Sequence, residues 1–115
     1  MITLYGIPNC DTVKKARAWL TERDVDFAFH DFKKQGVPAD QVDFWLQAVN
    51  WETLVNRKGT TWRRLEEAKR AAVVDADSAK TLMLEQASVI KRPVVRWADG
   101  KVTVGFDAAI WEQKR

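Results

Sequence analysis

Thiols and imidazoles are almost absent from this sequence, which holds one cysteine, Cys10, and one histidine, His30, in 115 residues. A lone thiol excludes an internal disulfide, so the fold does not lean on an oxidising compartment. One cysteine and one histidine also fall short of the ligand set of a structural zinc site, and no metal is expected. Long apolar runs are missing too. Nothing approaches the ~20 consecutive apolar residues of a membrane span, and Met1-Ile2-Thr3-Leu4-Tyr5-Gly6 lacks the basic leader and apolar stretch of a signal peptide. The expected location is the cytoplasm, with no membrane partner. Prolines and glycines are few, and no repeat or linker interrupts the chain. One monomeric domain over 1–115 is the expectation.

An excess of one charge is nearly lacking as well. The net charge is +3. The basic pairs Lys33-Lys34, Arg57-Lys58, Arg63-Arg64, Lys69-Arg70, Lys91-Arg92 and Lys114-Arg115 are interspersed with carboxylates, which reads as a solvated mixed surface. A nucleic-acid groove concentrates cations on one face with aromatics between them, so no nucleic-acid partner is expected.

What is present is a clear sequence of elements. Residues 2–5 alternate as a strand and run into the loop signal Gly6-Ile7-Pro8-Asn9. From Asp11 the period becomes helical, with Val13, Ala16 and Leu20 on one face and Asn9 or Asp11 as the cap. Val25, Phe27 and Phe29 then alternate as a half-buried strand ending near Phe32, completing a βαβ unit with parallel strands. The middle reads as about three helices. The first opens at Gly36–Asp40 and carries Val42, Trp45, Leu46 and Val49. The second is capped by Thr60 or Thr61 and carries Trp62, Leu65 and Ala68. The third is capped by Asp77 and carries Ala79, Leu82, Met83 and Gln86. Strand character returns at 93–97, Asp99-Gly100 is a hairpin turn, 101–104 is the return strand, and Asp107 caps a last helix holding Ile110 and Trp111. The fold class expected is α/β, thioredoxin-like: βαβ plus ββα in a mixed sheet, with a helical insertion at about 37–88. The six tryptophans are read chiefly as core, and His30 as a strand-edge residue rather than a base.

Position singles out Cys10. It stands between a strand's C-terminal end and a helix N-terminus, where free N–H groups and the helix dipole stabilise a thiolate. An ordinary thiol, of pKa about 8.5, is only about 3% ionised at pH 7, so those groups decide whether the sulfur reacts. Arg92 precedes Pro93 at the start of a strand, which extends its backbone and permits a cis bond. Arg57 lies in a loop leading to a helix. Were both loops to fold over Cys10, two guanidiniums would face the sulfur with the forked N–H pairs that suit carboxylates and oxyanions. Lys14, one turn past Cys10, adds positive potential.

The stretches Tyr5–Ala16, Asn56–Thr60, Ile90–Val95 and Val104–Phe106 together resemble the arsenate reductase-like (ArsC/Spx) family of bacterial-type proteins, and within it the YffB-type branch. The resemblance runs from Met1 to the last helix. It implies Cys10 as the reactive thiol, Arg57 and Arg92 as anion-binding residues, Pro93 as the family's cis-proline and Thr12 as the threonine of its thiol loop. Asn9, Asp11 and Lys14 complete the anion or glutathione site. Three oxyanion-holding groups of the glutathione-coupled arsenate reductases are replaced: a third arginine by the Val104–Phe106 stretch, a histidine by Gly6 and a serine by Val13. Losing a charge-assisted donor costs ~10²-fold or more in rate, which argues against arsenate as substrate.

The resulting expectation is a glutathione-dependent thiol oxidoreductase. Cys10 attacks a disulfide or small oxyanion, and an external thiol, glutathione with glutaredoxin as a further partner, resolves the adduct. With Val13 where a second cysteine would complete Cys-x-x-Cys, the chain cannot resolve it alone. The alternatives are a regulatory module that, like Spx proteins, binds RNA polymerase without catalysis, and a weak arsenate reductase.

Overall fold

The buried apolar residues Ile2, Leu4 and Tyr5 build β1 (Ile2–Gly6), an inner strand of the sheet. The computed structural model describes residues 1–114; Arg115, the end of the terminal basic pair, lies outside the described residues. Helix α1 (Asp11–Glu22) buries Val13, Ala16, Trp19 and Leu20 on one stripe, as a period of 3.6 requires. It leads into β2 (Phe27–Asp31), parallel to β1 with Ile2 opposite Phe27 and Gly6 opposite Asp31. Strand β2 is shorter than the 25–32 alternation suggests, because the Val25 N–H is taken by the Leu20 carbonyl at 3.0 Å before the strand begins and Asp31 ends it. The Asp31 carboxylate accepts the Lys33 N–H at 2.8 Å and turns the chain into the one-turn helix α2 (Phe32–Gln35).

Two compact units follow from the contact pattern. One consists of Met1–Gln35 and the chain from Arg92 on, and the other of Gly36–Lys91. The first adds β3 (Val94–Arg96) and β4 (Val102–Val104), joined by the turn at Asp99-Gly100, where Gly100 adopts φ 84°. β3 runs antiparallel to both β1 and β4, giving the order β2-β1-β3-β4 of a mixed, thioredoxin-like sheet. Asp107 caps the last helix by accepting the N–H groups of Ala109 and Ile110. The core of this unit joins Ile2, Leu4, Val13, Ala16, Leu20 and Val95 to Trp19, Trp97 and Trp111.

The second unit is helical but more broken than three periodic stretches suggest. It contains α3 (Ala39–Ala48), α4 (Trp51–Leu54), α5 (Thr60–Arg64), α6 (Glu67–Ala71), α7 (Ala76–Glu85) and a 3-10 turn at Ala87–Val89. Helix α3 packs against α7, and Val42, Trp45, Leu54, Leu82, Met83 and Ile90 are buried. The stretch expected to be one helix through Trp62, Leu65 and Ala68 is interrupted at Leu65, which is extended (φ −67°, ψ 148°). Arg70 donates from Nη1 to the Arg63 and Leu65 carbonyls, satisfying the acceptors this break exposes. Two cap expectations are corrected. Gly59, not Thr60 or Thr61, precedes α5. Asp75, not Asp77, caps α7, through a reciprocal pair with Ser78 that also holds the Asp75 carboxyl below its ordinary pKa.

Candidate active site around Cys10

Strand β1 ends at Gly6, and the next four residues turn sharply into α1. The Cys10 N–H donates to the Ile7 carbonyl at 3.2 Å, and the Cys10 carbonyl accepts from Lys14 N–H at 2.9 Å as the first bond of the helix. Cys10 is therefore itself the N-cap residue (φ −85°, ψ 125°), a place expected for Asn9 or Asp11. Gly6 is required by packing. A Cβ there would stand 2.8 Å from Cγ2 of the fully buried Val13, so strand and helix meet too closely for any side chain.

Cys10 is half-buried, and burial by itself pushes its thiol pKa up. The opposing influences win. The Val13 N–H, the Arg92 guanidinium by hydrogen bond and by charge, and the Thr12 N–H all favour the thiolate, and the net shift is downward. The sulfur makes no conventional cap hydrogen bond; these are the softer contacts of a large, polarisable acceptor. Thr12 and Val13 occupy the second and third helical positions, whose amides are the ones an N-cap side chain reaches. The sequence presents Val13 as a core residue standing in place of a serine or a second cysteine and gives no sign of this donor, because the contribution is an amide that any residue type would supply.

Sheet register explains how Arg92 arrives. Tyr5 pairs with Val94, so the residues before β3 continue past the end of β1 beside the loop that carries Cys10. The Arg92–Pro93 peptide is cis, and Pro93 is buried. The Pro93 carbonyl accepts the Gly105 N–H at 2.8 Å, with Gly105 at φ 84°, which pins this corner to the far side of the β4 turn. Asn9, Asp11, Thr12 and Lys14 are all exposed around the thiol loop.

Arg57 belongs to the helical unit. There its guanidinium pairs with Glu52 at 3.3 Å and lies over the Trp51 ring at 5.7 Å. Asn56 organises its loop, donating its N–H to the Val89 carbonyl at 2.7 Å and accepting from the Gly59 and Lys58 amides. The structure thus brings Arg92 to Cys10, whereas the partners it gives Arg57 are local. His30 packs against the rings of Tyr5 and Phe32, at 5.1 and 5.9 Å, in keeping with a packing role on the edge strand.

A model of the ArsC family matches residues 5–113. Among solved structures, a YFFB protein is 43% identical over 99% of this chain and 98% of its own, with a TM-score of 0.93. An arsenate reductase (ArsC) related protein from Brucella melitensis is 53% identical, covering 97% and 92%, with a TM-score of 0.75. A global transcriptional regulator Spx from Streptococcus pyogenes is 25% identical over 93% of this chain and 79% of its own. Kinship with a regulator of transcription runs against the expectation that nucleic acid plays no part.

Proposed function

The chain belongs to the ArsC family, as an arsenate reductase-related protein of thioredoxin-like fold, and on that premise we propose that it is a glutathione-dependent thiol reductase acting through Cys10. The observation that carries this reading is the convergence of the Thr12 and Val13 amides and the Arg92 guanidinium on a half-buried sulfur. These groups hold the nucleophile ready, and the same donors suit an anionic substrate group.

In the proposed cycle the Cys10 thiolate attacks the glutathione sulfur of a mixed disulfide. A Cys10–glutathione disulfide forms, and the substrate leaves as a thiolate that takes a proton from water. The thiolate of a second glutathione then attacks the adduct, releasing oxidised glutathione and restoring the Cys10 thiolate. Because the chain has one cysteine, the second thiol comes from glutathione or a glutaredoxin. Arg92 holds a carboxylate of glutathione, Arg57 serves as a second anion contact, and Asn9, Asp11, Thr12, Lys14 and Pro93 frame the site. The protein acts as a cytoplasmic monomer, a single domain with its helical insertion at about 37–88.

Alkylation by iodoacetamide across pH tests the nucleophile. Cys10 is expected to react as a thiol more acidic than free cysteine, and a rate profile matching free cysteine would sink the proposal. Titration with reduced glutathione, followed by NMR, is expected to shift residues 9–13, 57–60 and 91–93. Shifts confined to the first and last groups would remove Arg57 from the site. The transcriptional regulators among the relatives support a second reading, docking to RNA polymerase. Retention of a polymerase subunit by wild type and Cys10→Ser alike would favour it.

A further inference from the structure

Cations left over by the thiol chemistry gather in the helical unit. The thirteen residues 53–65 contain four basic side chains and no carboxylate. Arg57 pairs with Glu52 and is assigned above to the thiol site, so it is set aside here. Lys58, Arg63 and Arg64 are exposed, and none of the three makes an ion pair among the described residues. Trp62 sits between them in the chain and is only half-buried.

The segment displaying these groups is held firmly. Asn56 ties the loop to the Val89 carbonyl and accepts from the Lys58 amide, and Val55 bridges to Ile90. At Gly59 a Cβ would come within 2.9 Å of Asn56 Nδ2, so the loop closes tightly on itself just before α5. The Arg70 bonds to the Arg63 and Leu65 carbonyls fix the other end. Side chains presented from a rigid backbone lose less freedom on binding than those on a loose tail.

We propose that Lys58, Trp62, Arg63 and Arg64 form a binding surface for single-stranded nucleic acid. Three unpaired cations neutralise backbone phosphates, and a partly exposed indole among them offers a face on which a base can stack. The aromatic is what favours a nucleic acid over an acidic protein, since carboxylates would be served by the cations alone. The test of this surface makes no use of the Cys10 thiol, so its failure and the failure of the thiol reading are distinguishable.

The test is fluorescence anisotropy with a labelled mixed-sequence 12-nucleotide DNA strand at rising salt. With three phosphates neutralised, log affinity should fall against log salt with a slope of about −2. The variant Lys58→Glu/Arg63→Glu/Arg64→Glu should bind at least tenfold more weakly. The charge-matched control Lys15→Glu/Lys33→Glu/Lys34→Glu should bind nearly as wild type. Trp62→Phe should keep affinity, while Trp62→Ala lowers it without changing the slope. Far-UV circular dichroism confirms that each variant is folded. An equal loss in the control would overturn the proposal, showing only an effect of net charge. So would tighter binding of an acidic peptide than of the oligonucleotide, or preference for the duplex over the single strand.

Discussion

At the residue scale the decisive quantity is the balance on one sulfur. Burial opposes ionisation of Cys10, and two amides and a guanidinium overcome it. Removing the guanidinium while keeping the shape isolates its share: Arg92→Gln is expected to slow iodoacetamide alkylation at pH 7 and move the rate profile to higher pH. Stability gives an independent readout. A thiol whose pKa is lower in the folded protein binds its proton more weakly there than in the unfolded chain. Its contribution is therefore fully present above the unfolded thiol pKa and is lost as pH falls through the folded one. The stability difference between wild type and Cys10→Ser should rise with pH across that interval, measured by urea denaturation. A difference that is flat, or that falls with pH, would contradict the lowered pKa. Much of this was legible in the sequence, since the strand-to-helix position of Cys10 and the Arg92-Pro93 pair both announce themselves. The Thr12 and Val13 amides do not, because backbone donors carry no residue signature. The local pairing of Arg57 with Glu52 was hidden for a different reason, as α4 is a single turn with no periodicity to read.

At the scale of elements, the contact between β1 and α1 sets where the thiol stands. Gly6 and the fully buried Val13 meet with no room for another carbon. Gly6→Ala should therefore overpack the junction, costing about 1–3 kcal/mol. Adding Val13→Ala should recover part of that loss relative to the sum of the single changes, and urea midpoints across the double-mutant cycle would measure the coupling. Full additivity would place the strain elsewhere. Helices with a strong apolar stripe, α1, α3 and α7, could be read from periodicity because packing enforces it. The stretch 60–71 could not. Its Trp62, Leu65 and Ala68 fall at helical spacing, yet none is buried, so nothing rewards continuity and Arg70 stabilises a break instead. The caps of α1 and α7 shifted by a residue or two for a related reason. Cap candidates are neighbours in the chain, Asn9, Cys10 and Asp11 for α1 and Asp75 and Asp77 for α7, and the choice rests on backbone geometry and hydrogen bonds to specific amides rather than on residue type.

For the molecule as a whole, the sheet unit is assembled from two ends of the chain, and its aromatic core is what joins them. Trp111, on the last helix, meets Trp97 at 5.1 Å, Trp19 at 5.8 Å and Phe106 at 4.8 Å, each ring edge to face. Trp97 is fixed in turn by its Nε1 donating to Thr103 at 2.9 Å, and Arg23 covers the Trp19 ring while pairing with Glu112. The C-terminal segment thus contributes both the lid of this core and, through Arg92, the cation beside Cys10. Trp111→Ala should cost about 3–5 kcal/mol, the usual range for an emptied aromatic site. Against a total of about 5–15 kcal/mol that is a large part of the stability. If the chain is one cooperative domain, urea denaturation of the variant should show the same lowered midpoint by tryptophan fluorescence and by far-UV circular dichroism. Separate midpoints would mean that the helical unit from Gly36 to Lys91 unfolds on its own. Arg92 would then be held by the sheet unit alone, and Cys10 should keep its reactivity toward iodoacetamide at urea concentrations where only the helical unit has melted.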